Sequence, residues 1–408
     1  MLQTIAAMDE KQDNPNKLRL LEGLKKASRD LQSIPIPLCS KTNLSTITTF
    51  LQLLTQLDSF LSTDPTLFNL SRSLSNLKTQ LNNLQNSQDY CLISFIHRQI
   101  ANYEISKIAS TIEAQIQAWI DQESIKNLVR VLVEDVGDDE EEKVKVLIQF
   151  EDRLSNGFDR DLQEMILKSK IFFILESVVS KSKCSKRVCE ESARAIAALV
   201  RFNKDVFVGQ VLMGPTIEAL ISISSYGSIQ VLSSLVNLIR SPLVYEMESN
   251  GYILRIISLL MSSNDLLIQS AAMECVLEIV HFARKEAIEA MLEEGMIKKL
   301  VDLHRLGIER EMIEMSEFDE DENRGNSEET ESEAKIGIEE RGLMENWPFT
   351  SCVTRFVVQF EMGEGLEKGE KRQLKQEILR RVREASVSEA EATSIVAEVL
   401  WGSSPLLH

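Results

Sequence analysis

The chain has 408 residues, of which 43% are hydrophobic, 26% charged and 6% aromatic, with only 8 prolines; these values describe a folded protein of two or three units built from close-packed helices, not strands. A formal net charge of -18 argues against non-specific nucleic-acid binding, which needs clustered Lys and Arg, and against membrane association through a basic face. No stretch approaches the roughly 18 apolar residues of a membrane span. Met1–Asp9 lacks the basic region and apolar run of a signal peptide. The six cysteines, Cys39, Cys91, Cys184, Cys189, Cys275 and Cys352, are scattered without a Cys-x-x-Cys pair, so a reducing compartment, cytoplasmic or nuclear, is expected.

Residues 1–135 carry long amphipathic patterns. Leu67, Leu70, Leu74, Leu77, Leu81 and Leu84 alternate steps of three and four, a narrow seam that must pack on a partner helix. Ile93, Ile96, Ile100, Ile105, Ile108, Ile112, Ile116 and Trp119 supply another. Ile47, Phe50, Leu51, Leu54 and Leu57 form a third, and Leu20, Leu24, Ala27 and Leu31 a fourth. Breakers fall at Pro35, Pro37 and Pro65, and an up-down bundle of about four helices is the economical packing. The acidic run from Glu134 to Glu142 then reads as a solvated loop leading into a helix that begins near Lys143.

From 143 to 308 the chain repeats itself. Ser192–Leu199, Val231–Leu238 and Ala272–Ile279 share a small residue followed by apolar positions at helical spacing, and their starts lie 39 and 41 residues apart. After each of them a second helix opens on a turn, at Gly214, Gly251 and Gly295, 37 and 44 residues apart. Lys170 stands at the corresponding turn one unit earlier. A period near 40 with helical units implies about four stacked repeats, because one unit cannot bury its apolar face alone.

Beyond the repeats, residues 309–345 hold 15 acidic and 4 basic residues, a net -11 that predicts a disordered insert. Ser316 and Thr330 within it fit an acidophilic Ser/Thr-x-x-Asp/Glu kinase pattern. Residues 346–408 return to helix. Leu374, Ile378 and Val382 share one face of a basic helix carrying Lys371, Arg372, Lys375, Arg380, Arg381 and Arg383, whose charge could pair with the insert. A capping box, Ser388 with Glu391, opens the last helix, and these elements are expected to cap the repeats.

A catalytic constellation is not evident. His97, His281, His304 and His408 stand apart from other metal ligands, no phosphate-binding Gly-rich loop or nucleophile elbow is present, and Gly363–Gly369 reads as a linker. No cofactor or metal is expected. Lys181–Arg187 reads as a solvated inter-helix loop, with nuclear import or phosphate contact as the functional alternative.

The pattern of Gly-x-Ile, an apolar second helix, a loop and a third helix carrying Leu235-Val236-Asn237-Leu238 resembles the armadillo repeat. The resemblance implies an all-α fold: an N-terminal helical bundle, then an armadillo-like α-solenoid whose third helices line a groove, with C-terminal capping helices. Asn237 matches the asparagine that hydrogen-bonds a bound peptide in some members of that family. Ala198 and Glu278 hold the equivalent positions, so the asparagine ladder of importin-like peptide capture is missing. A bundle before the repeats also resembles plant U-box armadillo proteins and their relatives lacking the U-box. Ile34–Cys39 does not continue into a U-box entry, so ligase activity is not implied. The expected function is a non-enzymatic scaffold or adaptor that binds a protein partner through the groove, with Arg194, Asn237, Arg240 and Glu278 as candidate contacts. The alternative is an accessory in ubiquitin signalling, a substrate adaptor or competitor.

Overall fold

A computed structural model describes residues 2–32, parts of 50–56, 67–86, 92–133, 139–181, 184–318 and 348–402. Among these residues every regular element is a helix, eighteen in all, which is the all-α class expected. They fall into two compact units, one made of residues 1–134 with 159–170, the other of residues 135–158 with 171–408.

The first unit holds α1 (Leu2–Gln32), α2 (Phe68–Asn86), α3 (Leu92–Val133) and, after helix α4 (Glu140–Ser155) of the second unit, α5 (Arg160–Lys168). Helices α1, α2 and α5 all pack on α3. At 42 residues and 1.5 Å per residue, α3 is about 63 Å long, enough to serve them in common. The leucine seam of α2 is buried from Leu67 through Leu81, together with Leu24, Ala27 and Leu31 of α1. On α3 the buried face is Ile105, Ala109, Ile112, Ile116 and Trp119, whereas Ile100 remains 52% exposed. The five-residue step from Ile100 to Ile105 turns Ile100 off that face, since a helix rotates about 100° per residue. Phe50 is fully buried in the same core; the rest of the 47–57 strip lies outside the described residues. Across the top of α1 and α3, Arg29 pairs with Glu113 at 2.6 Å and Gln32 donates to the other carboxylate oxygen at 2.9 Å. Partial burial would raise the Glu113 carboxyl, but these hydrogen bonds outweigh it and hold it below the usual range.

The second unit continues with α6 (Ile171–Ser180), α7 (Lys186–Phe202), α8 (Lys204–Met213), α9 (Thr216–Ile223), α10 (Tyr226–Ile239), α11 (Ser241–Ser249), α12 (Tyr252–Ser262), α13 (Leu266–Phe282), α14 (Lys285–Glu293), α15 (Met296–Phe318), α16 (Cys352–Met362), α17 (Lys368–Ala385) and α18 (Glu389–Gly402). Two short helices followed by a longer one recur along it. The longer helices pack in series, α4 on α7, α7 on α10 and α10 on α13, and α13 packs in turn on the 11-residue α16, while α6, α9 and α12 pack in a second series. Helix starts follow their caps. Asp139 accepts from the Glu142 amide with three glutamates in the first turn of α4, so this helix begins three residues before Lys143. Ser185 caps α7, Ser225 and Ser228 form a reciprocal box on α10, and Asp265 caps α13.

The turns before the second helices use two solutions. Gly251 and Gly295 adopt positive φ of 69° and 84°, and Lys170 takes the same left-handed conformation at 53° despite its side chain. Gly214 instead is extended, φ -96° and ψ 174°, as a residue before Pro215 prefers to be. Its glycine is required for space: a Cβ there would collide with the carboxylate of Glu176, a buried group that accepts from Thr216 Oγ1 at 2.7 Å.

The C-terminal region does more than close an end. Helix α15 continues to Phe318, so residues 309–318 of the segment expected to be disordered are helical, consistent with a run of good helix formers uninterrupted by Pro; residues 319–347 lie outside the described residues. Past them, the 11-residue α16 packs on both α13 and the 23-residue α15. The Gly363–Gly369 segment, expected to be a linker, lies against the C-terminal end of α13. The Glu364 amide donates to the His281 carbonyl at 2.8 Å, and Cβ atoms at Gly363 and Gly365 would strike the carbonyls of His281 and Ala283. The buried face of α17 is Leu374, Ile378 and Val382. Its charges have close partners: Lys371 donates to the Glu361 and Gly363 carbonyls, Lys375 pairs with Glu361, and Arg380 and Arg381 flank Glu377. The hydrogen bond from Arg380, then that from Arg381, holds Glu377 down to about 2. The Ser388 hydroxyl caps the Glu391 amide at 3.2 Å, while the Glu391 carboxylate reaches back to the Val387 amide and takes a two-pronged bond from Arg305 at 2.8 and 3.2 Å.

Gly363→Ala or Gly365→Ala is expected to destabilise the second unit by about 1–3 kcal/mol through overpacking against backbone, whereas Gly369→Ala, with open space around its Cα, should be neutral or slightly stabilising. Urea melts of the three variants check this. Burial alone would raise the Glu391 carboxyl, yet the Arg305 and Val387 bonds lower it, so its contribution is present above the unfolded carboxylate pKa and lost as pH falls through the lower folded value. The stability difference between wild type and Glu391→Gln should therefore shrink as denaturation is repeated from neutral pH down into the acid range.

Candidate partner-binding groove

Helices α4, α7, α10 and α13 leave between them a groove of about 460 Å³. Its floor is made of small residues, Ala197, Val231, Ser233, Ser234, Ser270 and Ala271, because helices packed this closely leave no room for larger ones. Its walls carry Glu151 of α4, Arg194 and Arg201 of α7, Tyr226 and Gln230 of α10, and Glu274 of α13. Arg194 and Arg201 stand seven residues apart, two helical turns, and so share one face.

The charges are unequally committed. Arg194 pairs with Glu191 one turn back, and Glu274 with Arg355 of α16, which also donates to the Pro348 carbonyl at 2.9 Å. Gln230 donates to the Tyr226 hydroxyl at 2.6 Å. Arg201 is exposed and Glu151 half-buried, and neither makes an ion pair among the described residues. The groove thus offers one uncommitted charge of each sign, a phenol and several hydroxyls over a small-residue floor. This suits polar contacts along an extended backbone, since nothing in it demands a large apolar anchor.

The four residues selected by repeat register are placed differently. Arg194 lines the groove. Asn237 and Glu278 meet across α10 and α13, with Asn237 Nδ2 donating to Glu278 Oε2 at 3.4 Å, beside the groove and outside its lining. Arg240 lies at the junction of α10 and α11 with φ 69° and ψ -141°, and its guanidinium comes within 3.9 Å of Glu364. Register reasoning missed Ser233 and Glu274, which occupy the position of Arg194 in the next two long helices at the same 39 and 41 residue spacing. It also missed Glu151, because α4 was read as the start of the first repeat instead of as a long helix in the packed series. Of the histidines, His281 is half-buried, meets Phe282 edge-on at 4.7 Å and lies 3.3 Å from Gln359 Oε1 through Nδ1.

No family model matches this chain, and no curated protein matches it. Among the described residues no single helix is long and apolar enough to cross a membrane.

Arg240 adopts a backbone conformation that side chains disfavour, at a cost of about 1–3 kcal/mol, and its 3.9 Å ion pair is too exposed to offset much of that. Arg240→Gly is expected to stabilise the second unit by about 1 kcal/mol after the backbone entropy of glycine is counted. A higher urea midpoint at unchanged slope checks it.

Proposed function

We propose that this protein is a non-enzymatic scaffold or adaptor whose second unit is an armadillo-like α-solenoid and whose groove holds an extended segment of a partner protein. One observation carries the reading: four consecutive long helices, α4, α7, α10 and α13, line a continuous groove with small residues beneath and charged or hydrogen-bonding residues at its edges. The serial packing of long helices, with short helices in a second series, supports the solenoid. The period near 40 in the sequence supports the armadillo-like assignment.

On this reading Arg201 and Glu151 are the charges available to a partner, Ser233, Ser234 and Ser270 are backbone-facing donors and acceptors, and Asn237 with Glu278 extends the polar strip. The test is proximity labelling in native cells with the wild-type chain, a groove-filling Ser234→Trp variant and an Arg201→Glu variant, each first shown by circular dichroism and thermal melting to keep its fold. A common set of proteins should be labelled at least about tenfold less in both variants, which corresponds to about 1.4 kcal/mol of binding energy. An unchanged set in two folded variants sinks the groove as the binding surface.

A further inference from the structure

Cys184 and Cys189 flank Ser185, whose hydroxyl caps α7 by accepting from the Val188 amide at 3.3 Å. Cys184 is therefore the residue just before the cap and Cys189 the fourth of the helix, the two positions that an N-terminal staple brings into side-chain contact. Here the staple is made of two thiols, and both open on one cavity. Cys189 is buried and its Sγ also donates to the Val178 carbonyl at 3.6 Å, whereas Cys184 is half-buried. That cavity, of about 500 Å³, is also lined by Lys181, Lys186 and Glu218, so the more open thiol is reached from a polar, solvent-facing side. Cys275 and Cys352, by contrast, are fully buried in helix packing.

We propose that Cys184 and Cys189 form a redox modification site, a dithiol that a peroxide converts to a disulfide across the cap of α7. The Cys184 thiolate attacks the peroxide: a sulfur–oxygen bond forms, the oxygen–oxygen bond breaks, and the sulfur is oxidised to sulfenic acid as hydroxide leaves. The Cys189 sulfur then attacks that sulfur. The disulfide bond forms, the sulfur–oxygen bond breaks, and the departing hydroxide takes the Cys189 proton as water. Two thiols and one hydrogen peroxide thus give one disulfide and two waters. Burial pushes the Cys189 thiol up to about 11, so it waits protonated as the resolving partner and does not compete for oxidant. The product ties the loop after α6 to the first turn of α7.

The experiment uses the full chain, reduced and desalted, then treated with stoichiometric hydrogen peroxide, alkylated and digested with trypsin. Cleavage after Lys183, Lys186, Arg187 and Arg194 makes the disulfide readable, since it joins Cys184–Lys186 to Val188–Arg194 in one species two hydrogens lighter than the pair. Alkylation of Cys184 and Cys189 should fall together and in equal proportion as that species appears. In Cys189→Ala, Cys184 should stop at a sulfenic acid that dimedone traps; in Cys184→Ser, Cys189 should remain fully alkylatable. Oxidation of Cys184 to sulfinic acid or a mixed disulfide while wild-type Cys189 stays free would overturn the proposal. So would an inert Cys184 under conditions that oxidise Cys39 or Cys91. The wild-type peptide map decides the matter even if a variant fails to fold.

Discussion

Close side-by-side packing of the long helices constrains everything else in the second unit. Helices approach to the closest distances only where small side chains face one another, and α7 and α13 bury Ser192, Ala193 and Ala195 and Ala271 and Ala272. Between α7 and α10 the approach is such that a Cβ on Gly227 would lie 2.6 Å from the Glu190 carboxyl. Helices α7 and α10 are then each enclosed by long neighbours on two sides and by short helices on a third. Eleven of the seventeen residues of α7 are buried, which leaves only a narrow strip for solvent and for any partner.

That strip inherits its character from the packing. Small residues needed for close approach become the floor of the groove, so its chemistry is concentrated in a few long side chains along the edges. Most of these are already balanced: Arg194 by Glu191 and Glu274 by Arg355. Exposed pairs of this kind contribute little to stability, but they fix the rotamers of side chains that would otherwise sweep across the groove. Arg201 and Glu151 differ because the register supplies no opposite charge beside them, and a ligand would gain most by supplying it.

Much of this was legible in the sequence, for definable reasons. The leucine seam of α2 and the long helices α7, α10 and α13 announce themselves because an amphipathic helix must repeat its buried face at helical spacing, and no other arrangement gives Leu67 to Leu81 that pattern. What stayed hidden depends on contacts distant in sequence. The 11-residue helix α16 packs on the last long helix, α13, yet the acidic segment between it and α15 breaks the period near 40 that would have revealed it. Gly363 and Gly365 look like linker glycines because the carbonyls they lie against belong to His281 and Ala283, some eighty residues earlier. Alignment of repeats selects Asn237 and Glu278 by register alone, and their contact with each other across α10 and α13, outside the groove lining, depends on packing that register does not encode.

The turn positions show why one residue type can mean different things in equivalent places. Gly251 and Gly295 supply a left-handed backbone, and Lys170 shows that the fold imposes this conformation even where the residue resists it. Gly214 has no such duty, since Pro215 holds it extended; there the missing side chain is what lets the carboxylate of Glu176 approach and accept from Thr216. The turn geometry is thus dictated by how the first and second helices must meet, not by glycine. Glycine only removes the local cost, and where it is absent, as at Lys170, the cost is carried by the packing around the turn.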